Sequence, residues 1–166
     1  MEQQVEMEQE VEHGLFEGMK VKGMFRVQIA EDGEIKGDSG WVENLVTNAG
    51  FRYYLAYALG AIAGSLQVSH AALGTGGAPI ATDTTLTGEV AKRQAVTAAS
   101  SSTSKAVTFT QTFSSSNSFL AGTSNISNIG LANSSATGTL FSGAAFASSS
   151  CATNQDVYTT YTISFA

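Results

Sequence analysis

The chain has 166 residues, enough for one domain with a self-sufficient core, and its length calls for no second one. Only 13% of it is charged, about half the ordinary share, with Gly, Ser, Thr and Ala standing where Glu and Lys usually do. The formal net charge of −6 resides entirely in residues 1–17, where six glutamates occur without a Lys or Arg, while residues 18–166 balance eight acids against eight bases.

These numbers exclude several classes. A nucleic-acid partner needs clustered Lys and Arg, and here the bases are scattered. One cysteine, Cys151, rules out an intrachain disulfide and a thiolate metal cluster. The N-terminus lacks the basic and apolar regions of a signal peptide. No apolar run approaches the roughly 18 residues of a membrane span. The expectation is a product made soluble inside the cell, with no membrane partner.

Along the chain, Val5 to Glu12 place glutamate on every even position and mainly apolar residues on odd ones, the period of a strand with one wet face. Met7, Val11 and Leu15 also fall at helical spacing, but the crowded glutamates would weaken an isolated helix. Residues 1–17 therefore read as an extended acidic arm that orders on a neighbour. Val5, Met7, Val11 and Leu15 are its partner-binding side chains.

Residues 18–166 read as a β-sandwich domain. Val21, Phe25, Val27 and Ile29 alternate with Lys20, Lys22, Arg26 and Gln28, and Glu31-Asp32-Gly33-Glu34 supplies a turn into a second strand ending near Val42. Trp41 is expected to close the apolar face of this hairpin. Residues 47–60 form the one convincing helix, with Thr47 or Asn48 as cap and Gly60 as terminator. Phe51, Leu55, Ala58, Leu59 and Ile62 make a stripe at helical spacing, which predicts that this face packs on a sheet.

Beyond the helix, strands are expected at Val68 to Leu73, Glu89 to Ala98, Ala106 to Phe113, Ile126 to Asn133, Gly138 to Ala147 and Val157 to Phe165, joined by Ser-rich connectors. The strands near 107–113 and 157–165 carry threonine on their second faces, where a β-branched side chain suits the pleat and its hydroxyl can bond across strands. The last strand should tie down the C-terminus. The fold class is thus mainly β, an antiparallel, jelly-roll-like sandwich with one helix at about 48–60 and an extended N-terminal arm.

Catalytic chemistry has little to work with. His13 and His70 have no ligand-spaced or base-spaced partner, and Cys151 follows three serines without a second motif, so it reads as a small half-buried residue. Gly74-Thr75-Gly76-Gly77 resembles a phosphate loop only in composition, since it leads through Pro79 with no basic residue before Lys92. Turn geometry accounts for it. Lys92-Arg93 read as a charged strand edge, or as a docking point for an acidic segment such as a neighbour's arm. The serine runs read as connectors, with too few aromatics and carboxylates beside them for a carbohydrate site. No catalytic residue, metal or cofactor is expected. A β-rich surface so poor in charge calls instead for an assembly that covers its edges.

The motifs Leu45-Val46-Thr47-Asn48-Ala49-Gly50, Ala72-Leu73-Gly74-Thr75-Gly76-Gly77-Ala78-Pro79 and Thr82-Asp83-Thr84-Thr85-Leu86-Thr87-Gly88-Glu89 come in that order. Asn125-Ile126-Ser127-Asn128-Ile129-Gly130-Leu131, Gly138-Thr139-Leu140-Phe141 and a terminal alternating strand follow them. This succession resembles a family of small tailed-bacteriophage virion structural proteins over roughly Lys20 to Ala166. The resemblance implies a non-enzymatic β-sandwich that assembles, often as a homotrimer, on the outside of the particle. In one form it is a capsid decoration (cement) protein on the outer capsid surface, made in the host cytoplasm, with the major capsid protein and neighbouring copies of itself as partners. In the other it is a tail or fibre-tip receptor-binding module that meets a host glycan or protein through loops such as Gly74 to Thr82. Gly74, Gly76, Pro79, Gly88 and Gly130 would carry backbone roles only, and the arm lies outside the resemblance.

Overall fold

A computed structural model describes residues 20–90, 92–100, 103 and 105–166. The arm assigned to 1–17, with Val5, Met7, Val11 and Leu15, lies outside them.

The body is mainly β, as expected, and consists of two antiparallel sheets facing one another. The first is ordered β2-β1-β11-β8-β7, from β1 (Val21–Glu31), β2 (Glu34–Asp38), β7 (Thr97–Ala99), β8 (Ala106–Phe113) and β11 (Asp156–Phe165), with β3 (Val42–Glu43) also on β1. The second is ordered β4-β10-β9-β5-β6, from β4 (Leu45–Val46), β5 (His70–Gly74), β6 (Gln94–Ala95), β9 (Ser124–Ala132) and β10 (Leu140–Cys151). Helix α1 spans 48–59, and among the described residues one further turn, of 3-10 type, lies at Ser115–Asn117.

Alternation explains the first sheet. Phe25, Val27 and Ile29 of β1, Phe109 and Phe113 of β8, and Val157, Tyr161 and Ile163 of β11 are buried and meet Leu73, Ile126, Ile129, Leu131 and Phe141 of the second sheet in one core. Burying each such side chain contributes about 1.5–3 kcal/mol. The opposite positions form the threonine face: Thr108 pairs with Thr162 and Thr110 with Thr160, and the Thr108 and Thr162 hydroxyls lie 3.1 Å apart. The last strand is held between β1 and β8, and Lys20 and Ala166 exchange two backbone hydrogen bonds, so the C-terminus is tied down.

The second sheet has cover on its outer face as well. Residues 75–89 lie across it, with Leu86 packed on Ala72 and Leu140. Pro79 sits on Gly143, where an added Cβ would come within 2.7 Å of its ring. Asn128, fully buried, donates to the carbonyls of Gly77 and Thr87, 3.0 Å each, and the Ser127 hydroxyl donates to the Gly76 carbonyl. The glycine-rich loop is therefore clasped to the sheet by its carbonyls.

Several expectations need correction. Trp41 is 51% exposed and closes nothing. The returning strand stops at Asp38, and Gly40, at φ +65°, turns the chain before β3, leaving Trp41 outside. Ser148 to Ser150 are not a connector, because β10 continues through them to Cys151. The strand expected over Glu89 to Ala98 is reduced to two short pieces, β6 and β7, which belong to different sheets.

Cys151 is fully buried rather than half-buried, and burial pushes its thiol up to about 11. A thiol reagent such as DTNB at pH 8 is therefore expected to leave the native chain unlabelled and to titrate one thiol once the chain is unfolded in urea. Stoichiometric labelling of the native chain would contradict this burial.

Candidate functional site

The helix shows the largest departure from its expected packing, and the departure creates the site. Thr47 begins it as a cap: its hydroxyl accepts from the Gly50 N–H at 2.9 Å and donates to the Leu140 carbonyl at 2.8 Å, which fixes α1 to the start of β10. The central turns, Gly50–Ala56, are π-helical, and the Tyr57 N–H reaches back five residues to the Arg52 carbonyl. Gly60 ends the helix as expected, although the left-handed residue that follows is Ala61, at φ +50°.

In this wider winding only Gly50 and Tyr54 turn fully inward. Gly50 lies against the Phe141 carbonyl, and the Tyr54 ring packs 5.1 Å from the Phe141 ring while its hydroxyl donates to the Thr139 carbonyl. Burial raises the Tyr54 phenol above its ordinary range, so it remains a neutral donor. Of the stripe expected to face the sheet, Leu55 packs against the core, while the other large members point outward. Phe51 is 46% exposed, Ile62 48% and Leu59 85%.

Phe51 and Leu59 line an open groove of about 560 Å³ at one end of the sandwich. The helix supplies Phe51, Leu55, Ala58 and Leu59, and the first sheet supplies Val21 and Phe165, which are register partners across β1 and β11. Every lining residue is apolar or aromatic, and the one hydroxyl among them, on Tyr54, is already engaged. The groove offers contact area without a charged group, a base or a nucleophile. Among the described residues, no three His, Cys, Asp or Glu side chains gather as a metal set, and no helix is long and apolar enough to cross a membrane.

The other residues singled out earlier have structural partners. His70 opens β5, and its Nδ1 lies 2.8 Å from the Ser69 hydroxyl. Burial and the nearby Arg93 charge lower its pKa. Of the Lys92-Arg93 pair, the arginine is engaged within its own chain and the lysine stays exposed. Arg93 is 8% exposed, forms a two-pronged ion pair with Glu89 at 2.6 and 3.0 Å, and donates to the Ser134 and Thr137 carbonyls. Lys92 donates to the Asn117 carbonyl.

The sequence contained one overlooked signal for the groove. A helix whose stripe is entered by Gly50 and flanked by three tyrosines has a second apolar face, and the glycine marks the side that approaches a backbone. Comparison with protein-family models, with curated proteins and with solved structures gives no match, so the site is read from its own geometry.

Proposed function

We propose that the chain is a non-enzymatic structural protein of a bacteriophage virion, a decoration (cement) protein on the outer capsid surface that binds across capsid subunits and neighbouring copies of itself. The observation that carries this reading is the exposed apolar groove on a charge-poor β-sandwich, beside the point where the acidic arm joins the body. An apolar surface of this kind is the mark of an interaction site. A body whose charges cancel is suited to multi-copy packing. The arm, with Val5, Met7, Val11 and Leu15, is the natural means of reaching a neighbour by strand addition, in which main-chain hydrogen bonds hold and alternate side chains select.

The fibre-tip reading would use exposed loops such as Gly74 to Thr82 and the Ser-rich connectors. The first of these is held to β9 and β10 by its backbone and Pro79 while Ile80 stays exposed, and it is the apolar groove that favours the decoration reading.

Deletion of residues 1–17 is expected to lower occupancy on purified capsids at least several-fold while the far-ultraviolet spectrum and unfolding midpoint of the body are kept. Undiminished occupancy, or a few copies at a single vertex in place of a shell-wide layer, would refute the reading.

A further inference from the structure

The two ends of the sandwich differ in charge. Strand β1 begins at Val21, in the groove wall, and runs to the turn into β2 about 33 Å away, so the groove and the hairpin tip lie at opposite ends. At the tip stand Glu31, Asp32 and Glu34, and Asp156 joins them as the register partner of Ala30. Lys36, paired with Glu34, and Lys92, on the Asn117 carbonyl past the end of β8, offset two of these carboxylates.

The groove end carries the opposite sign. Lys20 and Lys22 adjoin the start of β1, and the Lys105 carbonyl accepts from the Phe165 N–H, which places a third lysine there. Lys22 lies on the outer face of the first sheet, and Arg52 stacks over the Tyr53 and Tyr57 rings. None of the four bases lines the groove, and none has an ion pair among the described residues. Glu43, across from Met24, offsets one of them.

Apolar surface completes the match. The acidic end exposes Ile35, at 44%, opposite Ala30, and the basic end opens the groove beside Leu59. Two copies meeting groove to groove would bring like charges together, whereas opposite ends attract. A surface that complements a different surface of the same molecule makes a heterologous, head-to-tail contact.

We propose that the hairpin end of one copy docks on the groove end of the next, with Ile35 against the apolar groove and Asp32 and Glu34 toward Lys20, Lys22 and Lys105. This rests on the groove being a contact surface and assigns it to neighbouring copies. Capsid occupancy tests the virion role and self-association without capsids tests this contact, so either can fail alone.

The test is sedimentation velocity of the full chain from about 1 to about 200 μM. Association is expected, and it should weaken about tenfold between about 50 and about 500 mM NaCl. Lys20→Glu, Lys22→Glu and Lys105→Glu in one chain make both ends acidic. Asp32→Asn with Glu34→Lys makes both ends basic, and asparagine tolerates the left-handed turn at position 32. All five side chains are exposed, so the core is untouched. Each variant alone is expected to associate at least about tenfold more weakly than the native chain, and an equimolar mixture of the two to associate again. Leu59→Gln in the groove should weaken the native contact several-fold. A chain that stays monomeric throughout, single variants that associate like the native one, or a mixture no better than its components would overturn the proposal. So would indifference to Leu59→Gln. Loss of association in the lysine variant but not in the Asp32 and Glu34 variant would mean that the lysines meet some other acidic segment, and would overturn it as well.

Discussion

Gly50→Ala is expected to destabilise the body by about 3 kcal/mol, the upper end of what overpacking costs, and to lower its melting temperature by roughly 10 °C. The cause is local. A Cβ at position 50 would lie well inside contact distance of the Phe141 carbonyl oxygen, 3.1 Å from the carbonyl carbon and 3.0 Å from a Val46 methyl. Two of these are backbone atoms of a strand paired on both sides, so no flexible side chain can yield. The helix must lift, which lengthens the Thr47 bonds to the Leu140 and Phe141 carbonyls and draws Tyr54 away from Thr139.

Alanine is otherwise the better helix former by about 1 kcal/mol, so propensity alone predicts the opposite sign. Gly77→Ala is the matched control, because nothing lies within 4 Å of a Cβ there. That variant should stay within about 0.5 kcal/mol of the native chain. Urea unfolding followed by circular dichroism distinguishes the two, and equal midpoints for the Gly50 and Gly77 variants would disprove the account of how the helix is seated.

The same glycine shows what could and could not be read in advance. Strands β8 and β11 were legible almost to the residue, since alternation of Val, Phe and Tyr with Thr admits a single register with its apolar face inward. The two-sheet architecture followed from the spacing of such segments. The helix was legible in extent and in its Thr47 cap, but its facing was not. Phe51, Leu55 and Leu59 satisfy a 3.6-residue stripe, and that rule assumes α-winding; with π-winding the inward pair is Gly50 and Tyr54. The groove was hidden for the same reason, because a 3.6-residue stripe turns Phe51, Ala58 and Leu59 inward with Leu55.

Composition misled in a related way at Ser148 to Ser150. Small hydroxyl residues are good connectors and equally good edge positions of a long strand, and only pairing of Ser149 with Ile126 and Ser150 with Asn125 distinguishes the two. Adjacent charges at Lys92-Arg93 suggested a surface patch, yet the guanidinium turns inward to four acceptor atoms. Nothing in the dipeptide itself reveals that, whereas Glu89 four residues earlier was a usable hint.

That buried pair leads to the second large effect. Glu89→Ala is expected to cost about 3–5 kcal/mol, because it strands a guanidinium that is almost wholly removed from water. Arg93→Met is expected to cost less, roughly 1–3 kcal/mol, since it loses the bonds to Ser134 and Thr137 while the remaining carboxylate, 23% exposed, can turn toward solvent. The double variant should then be more stable than Glu89→Ala alone, a coupling of opposite sign to simple addition. The Arg93 bonds tie the segment after the 75–89 cover to residues 134–137 of the turn between β9 and β10, and Leu86 of that cover packs on Leu140. Loss of the charge balance should therefore expose the outer face of the second sheet before the common core opens. Amide exchange would show this as early loss of protection at Leu140, whose N–H is held by the Thr84 carbonyl, ahead of Tyr161 in the core. Additive costs in the double variant, or simultaneous loss of protection at both amides, would mean that the pair is a bystander rather than the fastening of the cover.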